Sequence, residues 1–339
     1  MPLPSSADTA GATRRRLSVR QAHEPFRSRR MRAPSFRYGF IAELQTKAMP
    51  CFRAVLGPLL TECPFTQRAL HKPFGYAGDY ELINMLYRSE IEGDNLFARC
   101  LFHHSRIEPA AVATVNRVAY LGAQLREALR QHRQAVVHAA SIGSGAGREV
   151  WQLLRESPEL GARLHLTLID QDAHALEHCE RTVMPLAQQC GARLRFIADP
   201  IQQLMRSEDL RHCLGPQHLI YSGGLYDYLD DDTFIELSQA LYASLHTRGS
   251  LVIGNMGAHS PTRWWMEYAM DWPLIHRSKR RASFDRDCQT LILSSGSRRS
   301  IIWRRPPARS SGRSLHNSWT IQCAVSVRRL ASCLLGHQT

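Results

Sequence analysis

The residues best placed to do chemistry form a short glycine run, Ser141-Ile-Gly143-Ser-Gly145-Ala-Gly147-Arg148-Glu149, at the end of an apolar strand. A backbone without Cβ atoms takes up tight-turn angles and lets a ligand approach closely. The next apolar strand ends in Leu168-Ile-Asp170, 27 residues after Gly143, where an acid can accept hydrogen bonds from both hydroxyls of a ribose. A dinucleotide fingerprint needs its third glycine one place later, in G-x-G-x-x-G, but Arg148 stands there and Gly147 precedes it. The spacing therefore favours an adenosyl ligand over a pyrophosphate and disfavours a nicotinamide-dependent oxidoreductase. A third strand closes on Ala198-Asp199, with the acid placed for an adenine amino group. A fourth exits into Tyr221-Ser222-Gly-Gly-Leu-Tyr226-Asp227-Tyr228. That exit faces the reacting end of the ligand, with Ser222 as a ligand contact and Tyr226 or Asp227 as a substrate contact or a packing residue. It lacks the N/D-P-P-F/Y tetrapeptide of enzymes that methylate nucleic-acid bases.

These motifs need a scaffold, and hydrophobic periodicity supplies it. After Gln134, short apolar strands alternate with amphipathic segments, the pattern of a parallel sheet with crossover helices. Strands are predicted at 135–142, 163–169, 193–198, 217–222 and 250–255. Helices are predicted at 147–156, 172–189, 200–213, 231–246 and 261–272. Residues 38–132 are helical in spacing and form a cap. Pro50, Pro58, Pro64 and Pro73 cut its first half into short helices, and one long helix opens after Glu108-Pro109. Residues 290–294 and 300–303 could make a hairpin.

The net charge of +13 sits at the ends: residues 1–37 carry +7 and residues 277–339 carry +11, leaving −5 between them. The balance argues against a nucleic-acid groove as the central feature, and nucleic acid or an acidic surface is a conceivable partner only through the basic tails. Residues 1–37 read as a disordered basic tail. Nine widely spaced cysteines with no C-x-x-C pair read as reduced thiols and no metal site. No apolar run is long enough for a membrane span and the N-terminus has no signal-peptide core, so the expected compartment is the cytoplasm.

Residues 71–276 resemble bacterial class I S-adenosylmethionine-dependent methyltransferases of the extracellular-factor, 3-hydroxypalmitic acid methyl ester biosynthesis group. The resembling segments are Lys72-Pro-Phe-Gly-Tyr-Ala-Gly-Asp79, the glycine run 141–149, Leu168-Ile-Asp-Gln-Asp172, Ile220-Tyr-Ser-Gly-Gly-Leu-Tyr-Asp-Tyr-Leu229, and Ile253-Gly-Asn255 with Met266-Glu267 and Asp271-Trp272. The resemblance implies an α/β fold, a Rossmann-like methyltransferase sheet at 133–276 under an N-terminal helical cap at 38–132, with the final strands left open. It implies S-adenosylmethionine in a cradle of Gly143, Gly145 and Gly147, with Asp170 on the ribose. It also implies that the 75–79 turn closes over the site, with Tyr76 against the substrate. A fatty-acid carboxylate is the implied acceptor. A carboxylate needs no general base, whereas a hydroxyl acceptor would need one, for which His104, His259, Asp79 and Tyr226 are candidates; Asn255 could orient the substrate. Past His276-Arg277 the resemblance stops, and the switch to Arg, Ser and Cys over 277–339 is what a shifted reading frame produces. The rival reading is a degenerate methyltransferase fold that binds nucleic acid through its basic ends.

Overall fold

The computed structural model describes residues 36–206, 209–258, 260–277 and 301–304. The chain divides into residues 1–44, of which 36–44 are described and are helical, and residues 45–339, which hold everything that follows. The cap comprises α1 (Phe36–Leu60), α2 (Pro64–His71), α3 (Tyr80–Met85), α4 (Leu96–Ile107) and α5 (Pro109–Gln131). Proline acts here by position. Pro64 and Pro109 open α2 and α5, where the missing N–H would have no intrahelical partner. Pro50 and Pro58, expected to break the first helix, lie inside α1, which gives up an intrahelical bond at each and continues.

The sheet comprises β1 (Val137–Ile142), β2 (Leu164–Asp170), β3 (Arg193–Ala198), β4 (Gln217–Ser222), β5 (Leu245–Ile253) and β6 (Ile301–Arg304), in spatial order β3-β2-β1-β4-β5-β6. The first five are parallel and β6 runs antiparallel along β5. Strand β5 starts five residues before its predicted start. The strand passes through Thr247-Arg248-Gly249 with an irregular register against β4, and a Cβ at Gly249 would lie 2.6 Å from Gln217 O. Residues 301–303 of the expected hairpin pair with β5, and 290–294 and 300 lie outside the described residues.

Crossover helices α6 (Arg148–Glu156), α7 (Ala173–Gln189), α8 (Ile201–Arg206), α9 (Asp209–Leu214) and α10 (Asp231–Ala243) cover both faces. Parity in the strands divides the core: Ala140, Ile142 and Ile220 pack with Leu210, Phe234 and Leu237, while Ala139, Leu219 and Tyr221 pack with Leu121, Leu125, Val150 and Val183. Helix α5, grouped with the cap on sequence, therefore covers the sheet alongside α6 and α7. A third cluster joins cap residues Phe65, Leu82 and Phe102 to Met256, Met266 and Met270. The helix predicted at 261–272 is shorter, 263–269, and over Trp265–Ala269 it is wound as a π-helical turn. It ends where Asp271, at φ +47°, pairs with Arg53 and Lys72. No helix among the described residues is long and apolar enough to cross a membrane.

Candidate functional site

The strand order reverses between β1 and β4, and at such a switch point the crossovers leave in opposite directions and open a crevice at the C-terminal edge of the sheet. The glycine turn occupies that place. Gly143, Gly145 and Gly147 all have left-handed backbones, with φ of +66°, +53° and +63°. The turn is fixed from β2: Gly143 N–H and Ser144 N–H donate to Ile169 O at 2.9 and 3.1 Å. Gly145 N–H donates to Asp170 Oδ2 at 2.7 Å, and Asp170 Oδ1 accepts from Asp172 N–H at 2.9 Å. Burial raises the Asp170 carboxyl above its usual range, opposed by these backbone N–H groups. A Cβ on Gly145 would meet nothing within 4 Å, so the middle of the turn faces open space. Ser144 Oγ and Ser222 Oγ are buried with no protein hydrogen-bond partner. A turn free of side chains, an acid with lone pairs to spare and two unpaired hydroxyls fit the adenosyl and amino-acid parts of S-adenosylmethionine. Asp199, just past β3, is half-buried at the same edge.

The 72–79 loop crosses this edge from β2 to β4. The Tyr76 hydroxyl donates to Asp172 Oδ2 at 2.9 Å, and burial raises its pKa. The Tyr228 hydroxyl donates to Ala77 O at 3.0 Å and accepts from Trp272 Nε1 at 2.8 Å. Gly78, at φ +79°, is pressed against the Trp272 ring, where a Cβ would come within 2.1 Å.

Several residues expected at the reacting centre have their polar groups engaged within the protein. Tyr226 lies wholly inside the core, its ring edge-on to Phe234 at 4.9 Å and its hydroxyl accepting from Ser238 at 3.4 Å. A short 3-10 turn, Leu225–Asp227, turns it under α10 and away from the strand ends. Asp79 is the N-cap of α3: Oδ1 accepts from Glu81 N–H, Leu82 N–H and Arg68 Nε, at 3.0, 2.8 and 2.8 Å. His104 sits near the end of α4, half exposed, against Glu108 (3.2 Å) and the Trp265 ring (4.8 Å). The Asn255 amide donates to Asp227 Oδ1 at 2.7 Å and Ile275 O at 2.9 Å, and its oxygen accepts from Arg277 at 2.7 Å. It holds the fold together and has no hydrogen left to orient a substrate. His259 lies outside the described residues.

Two arginines were missed. Arg277, which composition groups with the basic tail, is 1% exposed and donates to Tyr226 O at 2.8 Å, to Leu229 O, to Asn255 and to Asp231 at 3.1 Å. Arg117 stands on the buried face of α5, four residues before Leu121, and donates to Asp227 Oδ2 at 3.2 Å and to Gly223 O. A charge at a core position of an apolar stripe was the available signal for it.

No family model matches the sequence, and no curated protein does. Solved structures with a similar fold include magnesium protoporphyrin IX methyltransferase from Synechocystis PCC 6803 with bound SAM, at 11% identity, 65% of this chain, 88% of that one and a TM-score of 0.40. Another is the plantazolicin methyltransferase BpumL in complex with SAH, at 14% identity, 69% and 70% coverage and a TM-score of 0.35. The cyclopropane synthase MmaA2 from Mycobacterium tuberculosis matches at 14% identity, 39% and 41% coverage and a TM-score of 0.28. The chain spans about two fifths to one half of the length of the first solved structures it matches. Likeness at this distance carries no argument about chemistry, which rests on the glycine turn and its partners.

Proposed function

We propose that the protein is an S-adenosylmethionine-dependent methyltransferase acting on a small molecule, with a fatty-acid carboxylate as acceptor and a methyl ester as product. The observation that carries this reading is the turn of three left-handed glycines at the β1 exit, tied through Gly145 to the buried carboxylate ending β2. Gly143, Gly145 and Gly147 form the cradle. Asp170, with one bond to each oxygen from backbone N–H, has lone pairs left for the two ribose hydroxyls. Asp199 takes the adenine amino group, and Ser222 contacts the ligand at the β4 exit. Tyr76 and the 72–79 loop shut water out from above.

When bound, the cofactor supplies a methyl group already activated on a sulfonium. What remains for the chain is to hold the acceptor in line and exclude solvent. Three of the four candidate bases, those among the described residues, support an acceptor that is nucleophilic as it stands. Tyr226 is locked in the core, Asp79 is spent on a helix cap, and His104 is paired with Glu108. A carboxylate oxygen takes the methyl with its own lone pair while the carbon–sulfur bonding pair stays on sulfur, and no proton moves.

Calorimetric titration of S-adenosylmethionine into the protein and its Asp170→Ala variant tests the cradle. Micromolar binding, weakened at least about tenfold in a variant that still melts cooperatively, is the expected result. Labelled methyl transfer to 3-hydroxypalmitate, read as a base-labile organic-soluble product, tests the acceptor. A folded protein that binds no S-adenosylmethionine sinks the reading.

A further inference from the structure

One buried cation at the ligand edge is only half used by the protein. Arg117 is 7% exposed, and among its nitrogens Nη1 alone is engaged, by Gly223 O and Asp227. Nε and Nη2 are shut off from solvent with no protein acceptor. These two nitrogens form the side of a guanidinium that points two parallel N–H bonds outward, at the spacing of two carboxylate oxygens. Leaving charged donors buried and unmet is expensive, so a fork held in this state is suited to a ligand that completes it.

Its surroundings are cleared for it. A Cβ on Gly254 would lie 3.2 Å from both Cδ and Nε of Arg117, and one on Gly224 would lie 3.6 Å from Nη1. Leu225, next after Gly224, sits against the cradle, its Cβ 2.9 Å from where a Cβ on Gly143 would be. The Tyr87 hydroxyl is also buried without a protein partner, among the charges of Glu149, Arg148 and Arg117. The fork thus stands over the β4 and β5 exits, one step from the glycine turn.

The geometry points to a carboxylate subsite on the Nε–Nη2 edge of Arg117. Two carboxylates reach this edge under the proposed function, one on the amino-acid end of the methyl donor and one on the acceptor. The inference rests on that reading for which ligands arrive, and on Arg117 for what is recognised.

Titration with two ligand pairs, each differing at the carboxylate, tests it on the full chain: S-adenosylhomocysteine against its decarboxylated analogue, and decanoate against methyl decanoate. The wild type is expected to prefer the acid of one pair by at least about tenfold. Arg117→Lys keeps a cation near Asp227 but has no fork, and should bring that preference below about threefold; Arg117→Gln serves if the lysine variant does not fold. Collapse in the first pair assigns the donor's carboxylate, and collapse in the second assigns the acceptor's. Indifference of the wild type to the carboxylate in both pairs overturns the subsite, as does a preference that survives both substitutions. If neither nucleoside binds, the methyl-donor reading fails on its own, and the decanoate pair still decides the fork.

Discussion

Gly143, Gly145 and Gly147 share a left-handed backbone, but their surroundings give them different jobs. A Cβ on Gly147 would lie 2.6 Å from the Cys179 sulfur, whereas one on Gly145 would meet nothing. Gly145→Ala should therefore cost about 1–2 kcal/mol, the left-handed penalty alone, and weaken nucleoside binding at least about tenfold by putting a methyl where the proposed ligand would lie. Gly147→Ala carries the same penalty plus the clash. Adding Cys179→Ala should recover the clash only, a coupling that denaturant midpoints in a double-mutant cycle will show. Unchanged nucleoside affinity in Gly145→Ala would remove Gly145 from the cradle. These glycines and Asp170 could be found in the sequence because their spacing is set by a backbone turn and a strand end. Tyr226, Asp79 and His104 could not be judged that way, because adjacency to a motif does not say where a side chain points. Arg117 was hidden for the opposite reason, since one charge in a helix reads as solvated until the face it shares is known.

At the scale of elements, the exits of β4 and β5 are joined by a buried polar lattice. Asp227 accepts from Arg117, Asn255 and Met256 N–H, and Arg277 closes the lattice against Asn255, two carbonyls and Asp231. Because Arg277 also stacks over Phe234 at 4.6 Å, its loss strands several buried acceptors at once. Arg277→Ala should cost about 3–5 kcal/mol. Asp231→Asn, at a partner 38% exposed, should cost under about 1 kcal/mol. A chemical denaturation series checks both, and near-equal losses would mean that the Asp231 pair, rather than the buried lattice, carries Arg277's contribution. The strands and the longer helices were legible, because burial on one or both faces imposes a pattern on every residue. The π-helical turn at 265–269 and the passage of α1 through two prolines were not. Each depends on tertiary partners, such as Arg53 and Lys72 on Asp271, that lie some 200 residues away in sequence.

Across the whole molecule the two edges of the sheet carry different chemistry. The C-terminal edge holds the glycine turn, and the N-terminal edge carries a row of histidines on four successive strands: His165 on β2, His138 on β1, His218 on β4 and His246 on β5. Their rings follow one another at 5.1, 6.0 and 4.9 Å, and His132 adds an edge contact at 4.5 Å. Among the described residues no three His, Cys, Asp or Glu side chains are placed to hold a metal ion. Burial, then the neighbouring His132, His246 and His138, lower the His218 pKa from 6.5 to about 4. Its Nδ1 accepts the His138 N–H at 3.1 Å, which a protonated Nδ1 cannot do. A depressed folded pKa means that the neutral ring's contribution is complete above about 6.5 and is lost as pH falls towards about 4. His218→Asn keeps an acceptor for His138 and removes the titration. The melting temperature of the wild type should therefore fall relative to that of the variant between pH 6.5 and 4, while carboxylate titrations common to both cancel. Parallel melting curves over that window would show that the row does not couple protonation to folding.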